Sequence, residues 1–169
     1  WYVIGMSAVF LTSIPLALLK NNVFLFLIAL FSFYLVFSGY RFARNKSGIP
    51  QLQDWIAVAT MLLSGFSMEV LAFMFYTGGD AEGLWVILMV FGLIASLLGI
   101  VDFVTVRTRN ATGKRRIARH LTNMLAGTIA TVTAVLVVNV ATNPAWIAWL
   151  TPTVVITPVI FYWNKRTLS

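Results

Sequence analysis

Glu69 is the one carboxylate set well inside an apolar run of this chain, with Phe66, Met68, Val70 and Leu71 around it. An ionisable group at such a depth in a membrane costs about 2.5 kcal/mol or more unless it is paired, neutral or hydrated. On a helix, Gly65, Glu69, Ala72 and Tyr76 share one stripe, and Thr60, Ser64 and Ser67 lie on the neighbouring one. Small and polar residues together indicate a face turned to other helices. Two chemistries fit Glu69: a proton or cation site, or a protonated acid hydrogen-bonded to the next helix.

His120 is the second candidate. It stands beside Arg119, and Asn123, Gly127, Thr131 and Ala134 follow it on roughly one face. A histidine there can titrate, ligate haem with a partner, or cap loop backbone. Asp102 lies about one turn before Arg107, which suggests a snorkelling ion pair with the basic segment that follows, with a proton relay as the alternative. The pairs Thr151-Pro152 and Thr157-Pro158 break a helix twice. Each proline removes a backbone hydrogen bond, and a nearby threonine hydroxyl can re-satisfy part of the freed backbone. Pro152 and Pro158 are therefore either plain kinks or the wall of a cavity.

The elements carrying these residues are transmembrane helices. The chain is 60% hydrophobic and 10% charged, against about 25% charged for a soluble domain. Six segments have the length of roughly 20 residues that a bilayer demands: about 1–19, 23–42, 55–77, 84–106, 118–140 and 145–163. The expected fold is an all-α bundle forming a single integral membrane domain. Trp55, Trp85, Trp146, Trp149 and Trp163 lie near span ends, where amphipathic rings prefer the headgroup layer. Asp54 is expected to be the N-cap of the third span. Gly92, Ala95, Ser96 and Gly99 on span four, and Ala126, Ala130 and Ala134 on span five, mark close helix packing, within the bundle or in a homo-oligomer.

The spans place eleven of the twelve Lys and Arg residues on one side, Lys20 being the exception. That side is expected to be cytoplasmic, with both the C-terminus and the segment 107–119 on it. Arg107, Arg109, Lys114, Arg115, Arg116 and Arg119 are expected to contact anionic lipid headgroups, at about 1 kcal/mol per basic residue. The net charge of +7 is explained by orientation and does not imply nucleic acid. With no cysteine and one histidine, no metal site is expected within one copy. Walker-type glycine loops, zinc-helix His-Glu-x-x-His and Gly-x-Ser-x-Gly elbows are all missing from the sequence, which argues against a conventional ATPase or hydrolase. No catalytic residue is expected.

Several short stretches carry a resemblance. They are Ser38-Gly39-Tyr40-Arg41-Phe42, Asp54-Trp55, His120-x-x-x-Met124, and Ala130-Thr131-x-Thr133-Ala134-x-Leu136-Val137-Val138-Asn139. Trp149-Leu150-x-Pro152-Thr153-Val154 and Thr157-Pro158 complete the set. Together they resemble a bacterial family of membrane proteins catalogued as domain of unknown function 2306, or a close relative, over most of the chain. The resemblance implies a bacterial inner-membrane location. It also implies one more span, and a short His-Arg-x-x-Gly loop, ahead of Trp1, making seven spans in the intact protein. It singles out His120, and further upstream histidines would allow a paired haem or metal site.

Three functions follow as expectations: a non-catalytic membrane or accessory protein, a small-solute or proton-coupled transporter using Glu69, and a haem-binding redox subunit using His120. No cofactor is expected under the first two. The third predicts a Soret band that shifts on dithionite reduction and disappears in His120→Ala. A featureless visible spectrum from folded protein removes that reading.

Overall fold

The computed structural model describes residues 1–20, 22–80 and 83–169. All regular structure among them is helical: α1 (Tyr2–Lys20), α2 (Val23–Arg44), α3 (Leu52–Thr77), α4 (Leu84–Arg107), α5 (Gly113–Asn139) and α6 (Trp146–Leu168). Each helix is long and apolar enough to cross a membrane. At 1.5 Å rise per residue they extend for roughly 28–40 Å. Helix is the expected solution in hydrocarbon, because each backbone N–H and C=O must find its partner within the segment.

Two element boundaries differ from expectation. The third helix starts before Asp54, with Gln51 as its N-cap, and Asp54 is the acidic member of a capping box. Its Oδ2 accepts a hydrogen bond from the Gln51 backbone N–H at 2.8 Å, the reciprocal arrangement that satisfies two orphan donors at a helix start. The fifth helix starts at Gly113, so much of the basic segment 107–119 is helix rather than loop. The two links at this end touch. Gly48 takes a left-handed φ of 69°, and a Cβ there would sit 2.8 Å from Thr112 Cγ2.

The second helix is the hub, packing on α1, α3 and α5, while α3 pairs with α4, α5 pairs with α6, and α4 touches α6. The core is built from Phe31, Tyr34 and Leu35 of α2, Met61 and Met68 of α3, and Ile87, Leu88 and Phe91 of α4. By contrast, α1 contributes no buried residue. It lies on α2 through aromatic contacts, Phe10 stacking on Phe33 with centroids 4.8 Å apart.

The α3–α4 contact is the closest in the bundle, and glycine makes it so. A Cβ on Gly65 would meet Ser96 Oγ at 2.7 Å and the Ser96 backbone N at 3.0 Å, and one on Gly92 would meet the Gly65 carbonyl O at 3.1 Å. This is the small-residue packing expected of membrane helices, and it bears out the expected seam on α4. The alanines of α5 behave differently. Ala126, Ala130 and Ala134 line a cavity, and Ala126 also packs against the core. The seam predicts that Gly65→Val destabilises the bundle by about 1–3 kcal/mol through overpacking. Gly5, whose added Cβ would meet nothing within 4 Å, should tolerate alanine. Thermal unfolding of the two variants in detergent, side by side, checks the contrast.

Candidate functional site: a buried polar junction

The polar centre of the molecule is Asp102. It is 1% exposed, near the end of α4, where α2 and α5 both reach it. From α2, the Tyr34 hydroxyl donates to Asp102 Oδ2 at 2.7 Å and the Ser38 hydroxyl donates to the same oxygen at 3.2 Å. From α5, Asn123 Nδ2 donates to Ser38 Oγ at 3.0 Å and approaches Asp102 Oδ2 at 3.5 Å. The Arg119 guanidinium stands 3.9 Å from Asp102 Oδ1 and donates to Thr105 Oγ1 at 3.0 Å. Asn123 is fully buried. Asp102 Oδ1 and Asn123 Oδ1 are buried acceptors to which none of the described residues donates a hydrogen bond.

Backbone geometry explains how α5 comes this close. A Cβ on Gly39 would lie 3.2 Å from Met124 Cγ and 3.3 Å from both Asn123 Cβ and the Met124 backbone N. Glycine at this position lets α2 and α5 cross tightly enough for Asn123 to reach Ser38. The same approach sets His120 Nδ1 2.8 Å from the Gly39 carbonyl O. A carbonyl only accepts, so Nδ1 carries the proton.

Around this junction, other basic-end residues tie the helices together. Arg41 Nε and Nη2 donate to Asp54 Oδ1 and Oδ2 at 2.7 and 2.9 Å, a bidentate pair between α2 and α3. Arg116 donates to the Phe42 and Ala43 carbonyls, which are orphan acceptors at the end of α2. A small cavity of about 30 Å³ lies between, lined by Tyr34, Ser38, Arg41, Asp54 and Asp102 among others.

Several expectations change on this geometry. The ion pair expected between Asp102 and the basic segment forms with Arg119 of α5, but the carboxylate is buried rather than snorkelling, because α5 crosses α2 closely at Gly39 and brings Arg119 to it. Arg116 and Arg119 were expected at lipid headgroups, but both turn inward to protein acceptors. Arg107, Arg109, Lys114 and Arg115 are exposed.

Glu69, Ser64 and Tyr76 do not assemble into a site. Glu69 is half-buried in the α3–α4 seam, over Gly92, and accepts a hydrogen bond from the Ser96 hydroxyl at 2.9 Å. Ser64 bonds within its own helix, to the Met61 carbonyl at 2.9 Å. Tyr76 is exposed and packs edge-on against Trp85 at the opposite end of the bundle. None of the three lines either cavity. Thr131, expected on the His120 face, is exposed and bonds to the Tyr2 hydroxyl at 3.1 Å. Pro152 is buried, Pro158 is exposed, and neither lines a cavity; the adjacent Thr153 and Thr157 do.

That second cavity has a volume of about 760 Å³ and lies among α1, α2, α4, α5 and α6. Its walls are chiefly aliphatic and aromatic, with Leu35, Phe91, Ile129, Trp149 and Phe161 among them. At one end Asn164 Nδ2 donates to Thr122 Oγ1 at 2.7 Å.

Sequence reasoning missed Tyr34 and Ser38 as partners of Asp102. The signal was present: Tyr34, Ser38 and Arg41 recur at i, i+4 and i+7 in a mostly apolar helix, a polar stripe that points to a protein-facing side.

Fold and site together define a multi-pass α-helical membrane protein with a buried polar junction at its basic end. No family model, curated protein or solved structure matches the chain.

The junction predicts that Asn123→Leu costs roughly 1–3 kcal/mol, because it strips a buried donor from Ser38 and Asp102. Glu69→Gln retains an acceptor for Ser96 and should unfold within about 0.5 kcal/mol of the parent. Denaturation of the two variants in detergent compares them directly; the reverse order would move the structural centre to Glu69.

Proposed function

We propose that this protein is a non-catalytic membrane protein that holds a hydrocarbon chain from the bilayer in its large cavity. The observation that carries the reading is the cavity itself, about 760 Å³ among five membrane-length helices. Small-molecule sites span about 300–1,000 Å³ and are mostly apolar with a few placed polar groups. Thr122, Asn164 and Thr131 supply such groups in its wall, the first two hydrogen-bonded to each other. Lipid is the source because helices of this length and hydropathy have lipid as their neighbour. Mass spectrometry of the protein purified in a mild detergent should find about one lipid retained per chain, and Ala130→Phe should lose it while staying folded. Equal retention by both proteins, or none by the parent, would overturn the proposal.

Transport through Glu69 draws less support, since that side chain is engaged by Ser96 and lines neither cavity. The haem reading has one favourable feature. Nδ1–H bonding to the Gly39 carbonyl is how ligating histidines are commonly oriented, yet His120 lines neither cavity either.

We further infer that the basic end faces the cytoplasm of a bacterial inner membrane, and that the chain belongs with the membrane-protein family its motifs resemble. Support comes from the charge asymmetry and from the motif residues themselves. Ser38, Gly39, Arg41, Asp54, His120 and Met124, far apart in the chain, converge on the polar junction and its surroundings. Exposed Arg107, Arg109, Lys114 and Arg115 are then free to meet anionic headgroups. The chain has no cysteine, so single-cysteine variants report orientation cleanly. Ser169→Cys should resist an impermeant maleimide in whole spheroplasts and react after lysis, whereas Thr77→Cys should react in both.

A further inference from the structure

We propose that Asp102 is a proton-binding site reached from the basic end of the bundle, with Arg119 as the counter-charge that the bound proton releases. This does not depend on what occupies the large cavity.

The two carboxylate oxygens are in different situations. Oδ2 meets Tyr34, Ser38 and Asn123 at 2.7, 3.2 and 3.5 Å. Oδ1 accepts no hydrogen bond from the described residues and faces Arg119 at 3.9 Å, beyond hydrogen-bond reach. Asn123 Oδ1, in the same junction, also has no donor. Two buried acceptors without a donor are a costly arrangement. A proton on Oδ1 converts that oxygen into a donor and leaves the three contacts at Oδ2 in place.

Space toward the basic end adjoins the carboxyl group between α2, α3 and α4. The small cavity that Asp102 helps to line has a volume of about 30 Å³, room for about two waters at 10–15 Å³ each. It extends past Ser38 to Arg41 and Asp54. Along α4, Asp102 lies only about 7.5 Å below the exposed Arg107 at 1.5 Å per residue.

The charged and titratable neighbours favour a proton over a metal ion. From α2, Tyr34 donates to the carboxylate and Arg41 lines the cavity; from α3, Asp54 is held by Arg41. From α5, Arg119 faces Oδ1, while His120 is engaged by the Gly39 carbonyl and Arg116 by the end of α2. A guanidinium 3.9 Å from the open oxygen repels a metal cation. No group of three or more His, Cys, Asp or Glu suited to a metal occurs among the described residues.

The step balances simply. One proton passes from hydronium in the aqueous phase to Oδ1, the hydronium O–H bond breaking to leave water as the carboxyl O–H forms, and the junction gains one positive charge. Arg119 is not stranded, because it keeps its hydrogen bond to Thr105 on α4. The charge attraction between α4 and α5 is lost, while the hydroxyl contacts between α4 and α2 remain.

Infrared difference spectroscopy of the full chain in lipid vesicles, stepped across pH, tests this. The expected result is a protonated-carboxyl band that grows on acidification, is lost in Asp102→Asn and persists in Glu69→Gln. Tyr34→Phe should shift its frequency, because the carboxyl loses its closest partner. Should Asp102→Asn fail to fold, ¹³C-aspartate labelling of the unmutated chain moves the band if an aspartate owns it, and Tyr34→Phe then assigns it. A band that survives Asp102→Asn, or that ignores either the label or Tyr34→Phe, overturns the proposal. So does a carboxyl signal constant over the whole pH range in which the protein stays folded.

Discussion

A carboxylate inside a helix bundle that spans lipid must obtain from other helices what water would otherwise supply. For Asp102, α4 provides none of the partners. Tyr34, Ser38 and Asn123 donate from α2 and α5, and the Arg119 guanidinium of α5 stands near as a charge without a hydrogen bond. Burying such a group with partners is tolerable, whereas removing a partner leaves an uncompensated charge. The rest of the basic end follows from this requirement. The second helix becomes the hub, and its close crossing with α5 at Gly39 brings Arg119 to the carboxylate.

Around that fixed point the two helical hairpins pack by different means. In α3 and α4, glycines bring backbones together until Ser96 can donate to Glu69 across the seam. In α5 and α6, alanines and threonines face open volume instead. Small residues mean contact along α3 and α4 and at Gly127 of α5, whose added Cβ would meet Val36 Cγ2 at 2.7 Å, and space at Ala130 and Ala134. The difference lies in what stands opposite: backbone and glycine across α4, and the cavity bounded by α1, α2, α4 and α6 across that face of α5.

The charged residues divide by the same logic. Arg41, Arg116 and Arg119 each satisfy a specific buried or half-buried acceptor, while Arg107, Arg109, Lys114 and Arg115 stay outside. Counting positives along the chain treats them alike, since charge asymmetry across a membrane depends only on which side a residue is on. Geometry separates the structural cations from those free to meet headgroups.

The sequence by itself determined the six membrane-length helices, their order and the uneven distribution of charge between the two ends. These are local properties: helix closure in hydrocarbon uses each segment's own backbone, and hydropathy is read one window at a time. It also held the polar stripe Tyr34, Ser38, Arg41, and the small-residue seam on α4. Only the tertiary structure decided which polar groups meet. It joined Asp102 to Arg119 across a turn, returned Glu69 to the seam, moved Thr131 to the surface, and set Thr153 and Thr157, not the prolines, against the cavity. The physical reason is that apolar residues cover most helix faces when lipid is the solvent. Amphipathic periodicity then says little about which face turns inward, and the neighbours of a buried charge are set by helix crossing rather than by spacing along the chain.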